Sequence, residues 1–159
     1  MLESLANWLG NSPLNEFMIT VGPAFPASET LHFIGLSLLF GSLLLVDLRA
    51  LGFFKGLPLL TLHKLVPLAI AGFVLNLVTG ILFIALDPMV YFGNTAFLWK
   101  MVLIGVAGVN ALAFEFLVFR PLAAGNTAIE GGSLIKFSAA LSLLLWCGVL
   151  VLGRLIPFV

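Results

Sequence analysis

Residues 61–86 read TLHKLVPLAIAGFVLNLVTGILFIAL, and after Lys64 no charged side chain occurs before Asp87. Apolar residues fill odd and even positions alike, which excludes a half-buried strand with its period of two. The run is long enough to cross the hydrocarbon layer, which takes about 20 apolar residues in a helix. Three further stretches share this character. One extends from about Ala27 to Leu51, opened by Pro26 and Ser28 and closed by the Asp47–Lys55 cluster with Gly52 and Gly56. Another extends from about Thr95 to Phe119 and stops at Arg120-Pro121. The last, from about Leu134 to Phe158, follows the polar stretch 125–133. Short connections make sequence neighbours antiparallel. The expected fold class is therefore all-α, an integral membrane four-helix bundle.

Composition supports this. Of the 159 residues, 62% are apolar and 9% charged, against about 45–50% and about 25% in a soluble domain. Seven Lys/Arg balance seven Asp/Glu, so charge points to no nucleic acid or polyanionic partner. A soluble enzyme and a disordered tail are excluded together. The single cysteine, Cys147, lies in an apolar run and can form no disulfide within the chain. One membrane domain, residues 27–159, follows a short segment, residues 1–26. That segment lacks the basic start of a signal peptide and carries Glu3. Leu2, Leu5, Trp8 and Leu9 share one helical face, and Ser12-Pro13 reads as a cap and first-turn proline for a second piece, Leu14–Val21. Both are too short to span, so they are expected as short N-terminal interfacial helices on the bilayer surface.

Orientation follows from the basic residues. Arg49, Lys55, Lys64, Arg120 and Lys136 flank the first and third connections, whereas Lys100 and Arg154 lie inside helices toward the other side. The expected location is a bacterial inner membrane with both termini on the periplasmic side, and with Trp99 and Tyr91 in the outer aromatic belt. Small residues mark packing faces: Ser28, Gly35 and Ser42; Gly72, Asn76, Thr79 and Gly80; Gly105, Gly108 and Ala111. Gly41 lies about opposite His32 on the first helix and is expected to face lipid or another subunit. These faces cannot all point to one bundle centre, which predicts a homo-oligomer.

Ionisable residues inside spans are costly and point inward. They fall into two layers. The outer layer holds His32, Lys100 and Arg154; the inner layer holds Asp47, Arg49, His63, Lys64 and Glu115. Helix rise separates His32 from Arg49 by about 25 Å, and His63 begins the second span beside the inner end of the first. One chain therefore cannot ligate a single metal with both histidines. The outer layer suits a haem. Neutral imidazole is an axial ligand for haem iron, and the cationic Lys100 and Arg154 suit propionates. Gly35, one turn after His32, would let a flat ring lie close, and Met101 or Met89 would offer a thioether as sixth ligand. His63 is the alternative ligand. In the inner layer, Asp47 and Glu115 are expected to pair with Arg49 or Arg120, with Glu115 pointing into the bundle.

Three stretches taken together resemble a known group. They are His32-Phe-Ile-Gly35 with Gly41 and Asp47-Leu-Arg49; His63-Lys-Leu-Val-Pro67 with Gly72 and Thr79-Gly80; and Leu98-Trp99-Lys100-Met101-Val-Leu. Their order is similar to that of the HemJ-type protoporphyrinogen oxidases and the related CopD-like four-helix membrane proteins, over roughly residues 27 to 115. The resemblance implies a haem b bundle, with His32 matching the haem-linked histidine and Lys100 the family lysine. The leading expectation is a b-type haem protein of the membrane that moves electrons, or handles haem or porphyrin, near the outer face. Its partners would be the lipid bilayer, further copies of the chain and a redox partner. Alternatives are a HemJ-like porphyrinogen oxidase, a structural membrane subunit, and a copper-handling protein using His32 with Met89 and Met101. A channel is disfavoured, because Leu, Ile and Phe leave no continuous polar lining.

Overall fold

A computed structural model describes residues 2–129 and 131–159; Met1, Glu130 and the side chains of Leu2 and Glu3 lie outside the described residues. Among the described residues there is no strand, and four helices are long and apolar enough to cross a membrane. Two short helices, α1 (Leu2–Gly10) and α2 (Pro13–Thr20), precede them. The first long helix is α3 (Ala24–Leu51) and the second α4 (Leu59–Leu86). A short helix, α5 (Pro88–Phe92), leads to α6 (Thr95–Ala123) and α7 (Ser133–Phe158).

The ends follow from local chemistry. Ser12 caps α2 by accepting from the Asn15 amide at 3.3 Å, with Pro13 in the first turn. Asn15 then reaches the far end of α4, where its Nδ2 donates to the carbonyls of Ala85 and Leu86 at 2.8 and 3.1 Å. Those carbonyls have no helical donor of their own. The N-terminal segment is thereby docked on the bundle, with Met18 buried and with Trp8, Phe17 and Ile19 exposed. Helix α3 ends at Gly52 in the left-handed region, φ +107°, with Phe53 N–H closing on the Leu48 carbonyl.

Two spans contain irregular turns the sequence did not announce. In α4, His63–Leu65 tightens to a 3₁₀ turn, because Pro67 has no N–H for the His63 carbonyl. In α6, Glu115–Phe119 widens to a π turn, and the Arg120 amide reaches back to the Glu115 carbonyl. The expected stop at Arg120-Pro121 is corrected here: the helix runs on to Ala123. The widened turn displaces the carbonyls that a proline ring would otherwise meet, so one more turn is tolerated.

Helix α3 is the hub. It packs along α4 and also on α7, α6 packs on α7, and the α4–α6 side is the loosest of the four. The α3–α4 crossing is set by Gly35 and Gly72. A Cβ on Gly72 would lie 2.5 Å from the Gly35 carbonyl oxygen and 2.6 Å from the Leu39 nitrogen. Ser28, Gly35, Ser42, Gly72 and Thr79 are buried, as packing residues should be. Gly80, Gly105 and Gly108 are different. A Cβ on any of them would meet nothing within 4 Å, and Gly105, Gly108 and Ala111 are exposed. The face of α6 that meets α7 carries Lys100, Leu103 and Asn110, which turns the glycine stripe outward.

Buried apolar side chains form two clusters. The inner one joins Val46, Leu59, Val118 and Ile135; the middle one joins Leu39, Ala69, Ala107 and Trp146. All four spans contribute to each. The outer third, which contains His32 and Lys100, belongs to neither.

Candidate functional site

His32 projects from the α3 face that also carries Ser28 and Gly35, and its ring is half-buried. Its Nδ1 lies 2.7 Å from the Thr79 hydroxyl of α4. Thr79 is 1% exposed, and its hydroxyl donates to the Leu75 carbonyl at 2.8 Å, one turn back. A hydroxyl has a single hydrogen. With that hydrogen on Leu75, the oxygen accepts from His32 Nδ1–H, and the imidazole lone pair is on Nε2. No described residue bonds that nitrogen. Phe83 flanks the ring, centroids 5.2 Å apart and tilted by 53°, and Phe25 packs behind Phe83 at 5.9 Å.

Lys100 approaches from α6. Its stem lies along Gly153 of α7, where a Cβ would stand 3.1 Å from Nζ and 3.6 Å from Cε. The missing side chain at 153 is what admits the lysine. The ammonium is half-buried and within electrostatic reach of His32. The fold therefore puts Lys100 within electrostatic reach of His32.

The other members of the expected set separate from these two. Gly35 offers no shelf for a ring, because Asn76 Oδ1 and the Gly72 carbonyl stand 2.6 and 2.9 Å from its Cβ position. Met101 is 41% exposed and Met89 52%. Each step along a helix turns the side chain by about 100°, so Met101 leaves the face that Lys100 occupies. Arg154 likewise turns away from Gly153, is exposed, and lays its guanidinium 5.4 Å from the Phe158 ring centroid. Met89 and Met101, the thioethers expected beside His32 for copper, are both exposed.

Near the outer end, Asn94 caps α6 through the Phe97 amide at 2.9 Å and donates to the Ile156 carbonyl of α7. Tyr91 packs edge-on against Phe97 at 5.4 Å. Burial and the neighbouring Asp87 carboxylate push its phenol above the ordinary range. Trp99 is 58% exposed, as an aromatic anchor would be.

The inner layer contains contacts that sequence reasoning missed. Glu115 accepts from His63 Nε2 at 2.9 Å and has Arg120 Nε at 3.7 Å. The His63 ring lies on Phe119, centroids 4.3 Å apart, and Arg120 stands 4.2 Å over the Phe116 ring. The expected Glu115–Arg120 pair is thus present, with His63 as the closer partner. Asp47 does not pair with Arg49. It is 5% exposed, bonds the Ser142 hydroxyl of α7, and leaves Oδ2 without a partner. Arg49 Nε donates instead to the Leu57 carbonyl. Asn110 and Ser138 join α6 to α7 by two bonds, of 3.1 and 2.8 Å.

Among the described residues no three His, Cys, Asp or Glu side chains converge to hold a bare metal ion. A porphyrin iron is a different case, since four equatorial donors come with the macrocycle and one imidazole suffices. His32 presents one such imidazole, and Lys100 adds a cation within electrostatic reach of it.

The model of the family of unknown function DUF6644 matches residues 6–159, nearly the whole chain, and the chain belongs to that family. No curated protein and no solved structure matches it.

Proposed function

We propose that this member of DUF6644 is a b-type haem protein of the membrane, with His32 as axial ligand near the outer face. One observation carries the reading: the Thr79 hydroxyl engages His32 Nδ1, and with the hydroxyl hydrogen on the Leu75 carbonyl the Nε2 lone pair is available. Metal-bound histidines commonly have their second ring nitrogen held in this way, which fixes tautomer and ring orientation. Lys100 supplies a cation at the depth where a propionate would lie, and Phe25 and Phe83 supply apolar walls. A haem bound there provides one-electron chemistry. The chain's own residues bind, orient and balance charge. The resemblance to HemJ-type proteins supports the same cofactor. It also supports a second reading, a porphyrinogen oxidase acting on a tetrapyrrole that arrives from lipid.

The reading includes a bacterial inner membrane with periplasmic termini, supported by the basic residues at the connections. It also includes a homo-oligomer, supported by the exposed stripe Gly105, Gly108 and Ala111 on α6.

An absorption spectrum tests the cofactor. Protein purified after expression with ample haem should show a Soret band and a reduced-minus-oxidised α band, and His32→Ala should remove both. A colourless wild-type protein would refute the proposal. Complementation of a strain lacking protoporphyrinogen oxidase separates the carrier from the enzyme.

A further inference from the structure

The last turns of α3 bury a carboxyl group. Asp47 is 5% exposed, and its neighbours on the helix, Val46 and Ala50, belong to the inner apolar cluster. The Ser142 hydroxyl of α7 is its hydrogen-bonding partner. Oδ2 has none, so the serine meets Oδ1. The other buried serine on this stretch of α7, Ser138, spends its hydroxyl on Asn110 Oδ1 at 2.8 Å. A carboxyl placed in this way inside a span is costly unless something compensates its charge.

The charged groups at this end of the bundle come from every neighbouring element. Arg49 on α3 donates Nε to the Leu57 carbonyl, and Lys55 in the following loop is exposed. On α4, His63 is bound to Glu115 and Lys64 is exposed. On α6, Glu115 also has Arg120 beside it, and on α7 Lys136 is exposed. Among the described residues, none of these bonds an Asp47 oxygen. A carboxylate would bury a charged oxygen without a donor, which costs far more than burying a neutral one. A hard cation gathers about six oxygens, whereas the described side chains bring one carboxyl and one hydroxyl. A proton needs fewer. On Oδ1 it makes an O–H that donates to Ser142 Oγ, and Oδ2 becomes a neutral carbonyl oxygen. A route to the carboxyl also exists. A partly open cavity of about 320 Å³ is bordered by Ala50 of α3 and Ile135 of α7. Ala50 follows Asp47 by three residues, about 4.5 Å along the helix.

We propose that Asp47, with Ser142, is a proton-binding site of the bundle interior, loaded and unloaded through the cavity at the inner end. The step is a proton transfer alone. Hydronium in the cavity gives its proton to Oδ1 and is left as water, and release to water reverses this. No oxidant, reductant or other co-reactant takes part. Helix rise puts Asp47 about 22 Å from His32, so the site is independent of what His32 binds.

The test uses the full chain in neutral detergent, followed by infrared difference spectroscopy between acid and alkaline buffer. Protonated Asp47 should give a carboxyl C=O band that Asp47→Asn lacks. Asparagine has the shape of the neutral acid, so circular dichroism should show an unchanged fold. The band should shift on mixing with deuterium oxide, and it should shift in Ser142→Ala through loss of the acceptor. Glu115→Gln, at a carboxyl outside the site, should leave it unchanged. Dicyclohexylcarbodiimide, which reacts with protonated carboxyls in apolar surroundings, gives a second readout on the wild type alone. Its adduct should map to Asp47 by mass spectrometry. A wild-type protein with neither band nor adduct at Asp47 would overturn the proposal. Sodium that blocks the adduct and raises the unfolding midpoint would make the occupant a cation and overturn it equally. A band that resists deuterium in the folded protein would overturn the route through the cavity, and an unshifted band in Ser142→Ala would overturn the role of Ser142.

Discussion

His63 Nε2 lies 2.9 Å from Glu115 Oε2, joining the first turns of α4 to the widened turn of α6 across 52 residues of sequence. The bond bridges the loosest side of the bundle, where the two helices otherwise meet through apolar side chains. It also distinguishes the two histidines. His63 spends Nε2 on a carboxylate, whereas His32 uses Nδ1 and keeps Nε2 open.

His63→Ala should therefore leave a haem spectrum unchanged. The side chains of His63 and Glu115 are 40% and 32% exposed, and partly solvated pairs of this kind contribute about 0.2–1 kcal/mol. A double-mutant cycle of His63→Ala with Glu115→Gln, read by chemical unfolding in detergent, should give a coupling in that range. Loss of the Soret band in His63→Ala would move the ligand to the inner layer.

Thr79→Val keeps the shape of the α4 face but removes the acceptor for His32 Nδ1–H. Loss of such an outer partner costs about 10- to 100-fold in metal affinity. Haem retention during dilution should fall by that order, with the helical content unchanged. A variant that retains haem as well as the wild type would show that Thr79 does not orient the ligand.

Gly72 and Gly108 make a contrasting pair. A Cβ at 72 meets backbone atoms of α3 at 2.5 and 2.6 Å, which cannot swing aside as a side chain can. Gly72→Ala should destabilise the fold by about 1–3 kcal/mol, the usual range for overpacking. A Cβ at 108 meets nothing within 4 Å, so Gly108→Ala should change stability by no more than about 0.5 kcal/mol. Thermal unfolding of the two variants side by side checks this.

The same stripe gives an assembly prediction. Gly108→Leu should leave the monomer folded, since the position is exposed. It should also disrupt a close approach between two copies of α6. Native mass spectrometry in mild detergent should show an oligomer for the wild type and a monomer for the variant. An unchanged oligomer would place the contact on another face.

The spans were legible because a membrane imposes length and hydropathy on each segment separately. Ser12 likewise reveals a helix start through local chemistry, whereas the caps Asp87 and Asn94 emerge only from the structure. Pairings were less legible. His32 and Lys100 could be put at one depth by counting residues, but depth says nothing about rotation around an apolar helix. Met101 and Arg154 share that depth and turn outward. Gly105 and Gly108 have the right period for packing, yet the period does not tell which side of α6 meets α7. The His63–Glu115 bond depends on the π turn, and no residue pattern in Glu115–Phe119 announces that turn.

Substitutions in the outer layer should therefore separate in kind. His32→Ala removes the coordinating nitrogen and should abolish the haem spectrum. Lys100→Gln removes a half-buried cation within reach of His32, and with it a charge-assisted hydrogen bond of about 1.5–3 kcal/mol to a propionate. Retention should weaken and the reduction potential should fall, because a nearby positive charge favours the ferrous form. The ligand field, and so the positions of the α and Soret bands, should stay as in the wild type. Arg154→Gln removes a cation that is exposed and engaged with the Phe158 ring. Potential and retention should then match the wild type. Redox titration of the three purified variants distinguishes these outcomes. Equal shifts for Lys100→Gln and Arg154→Gln would mean that both cations meet the propionates, and that Arg154 swings inward when the site is filled.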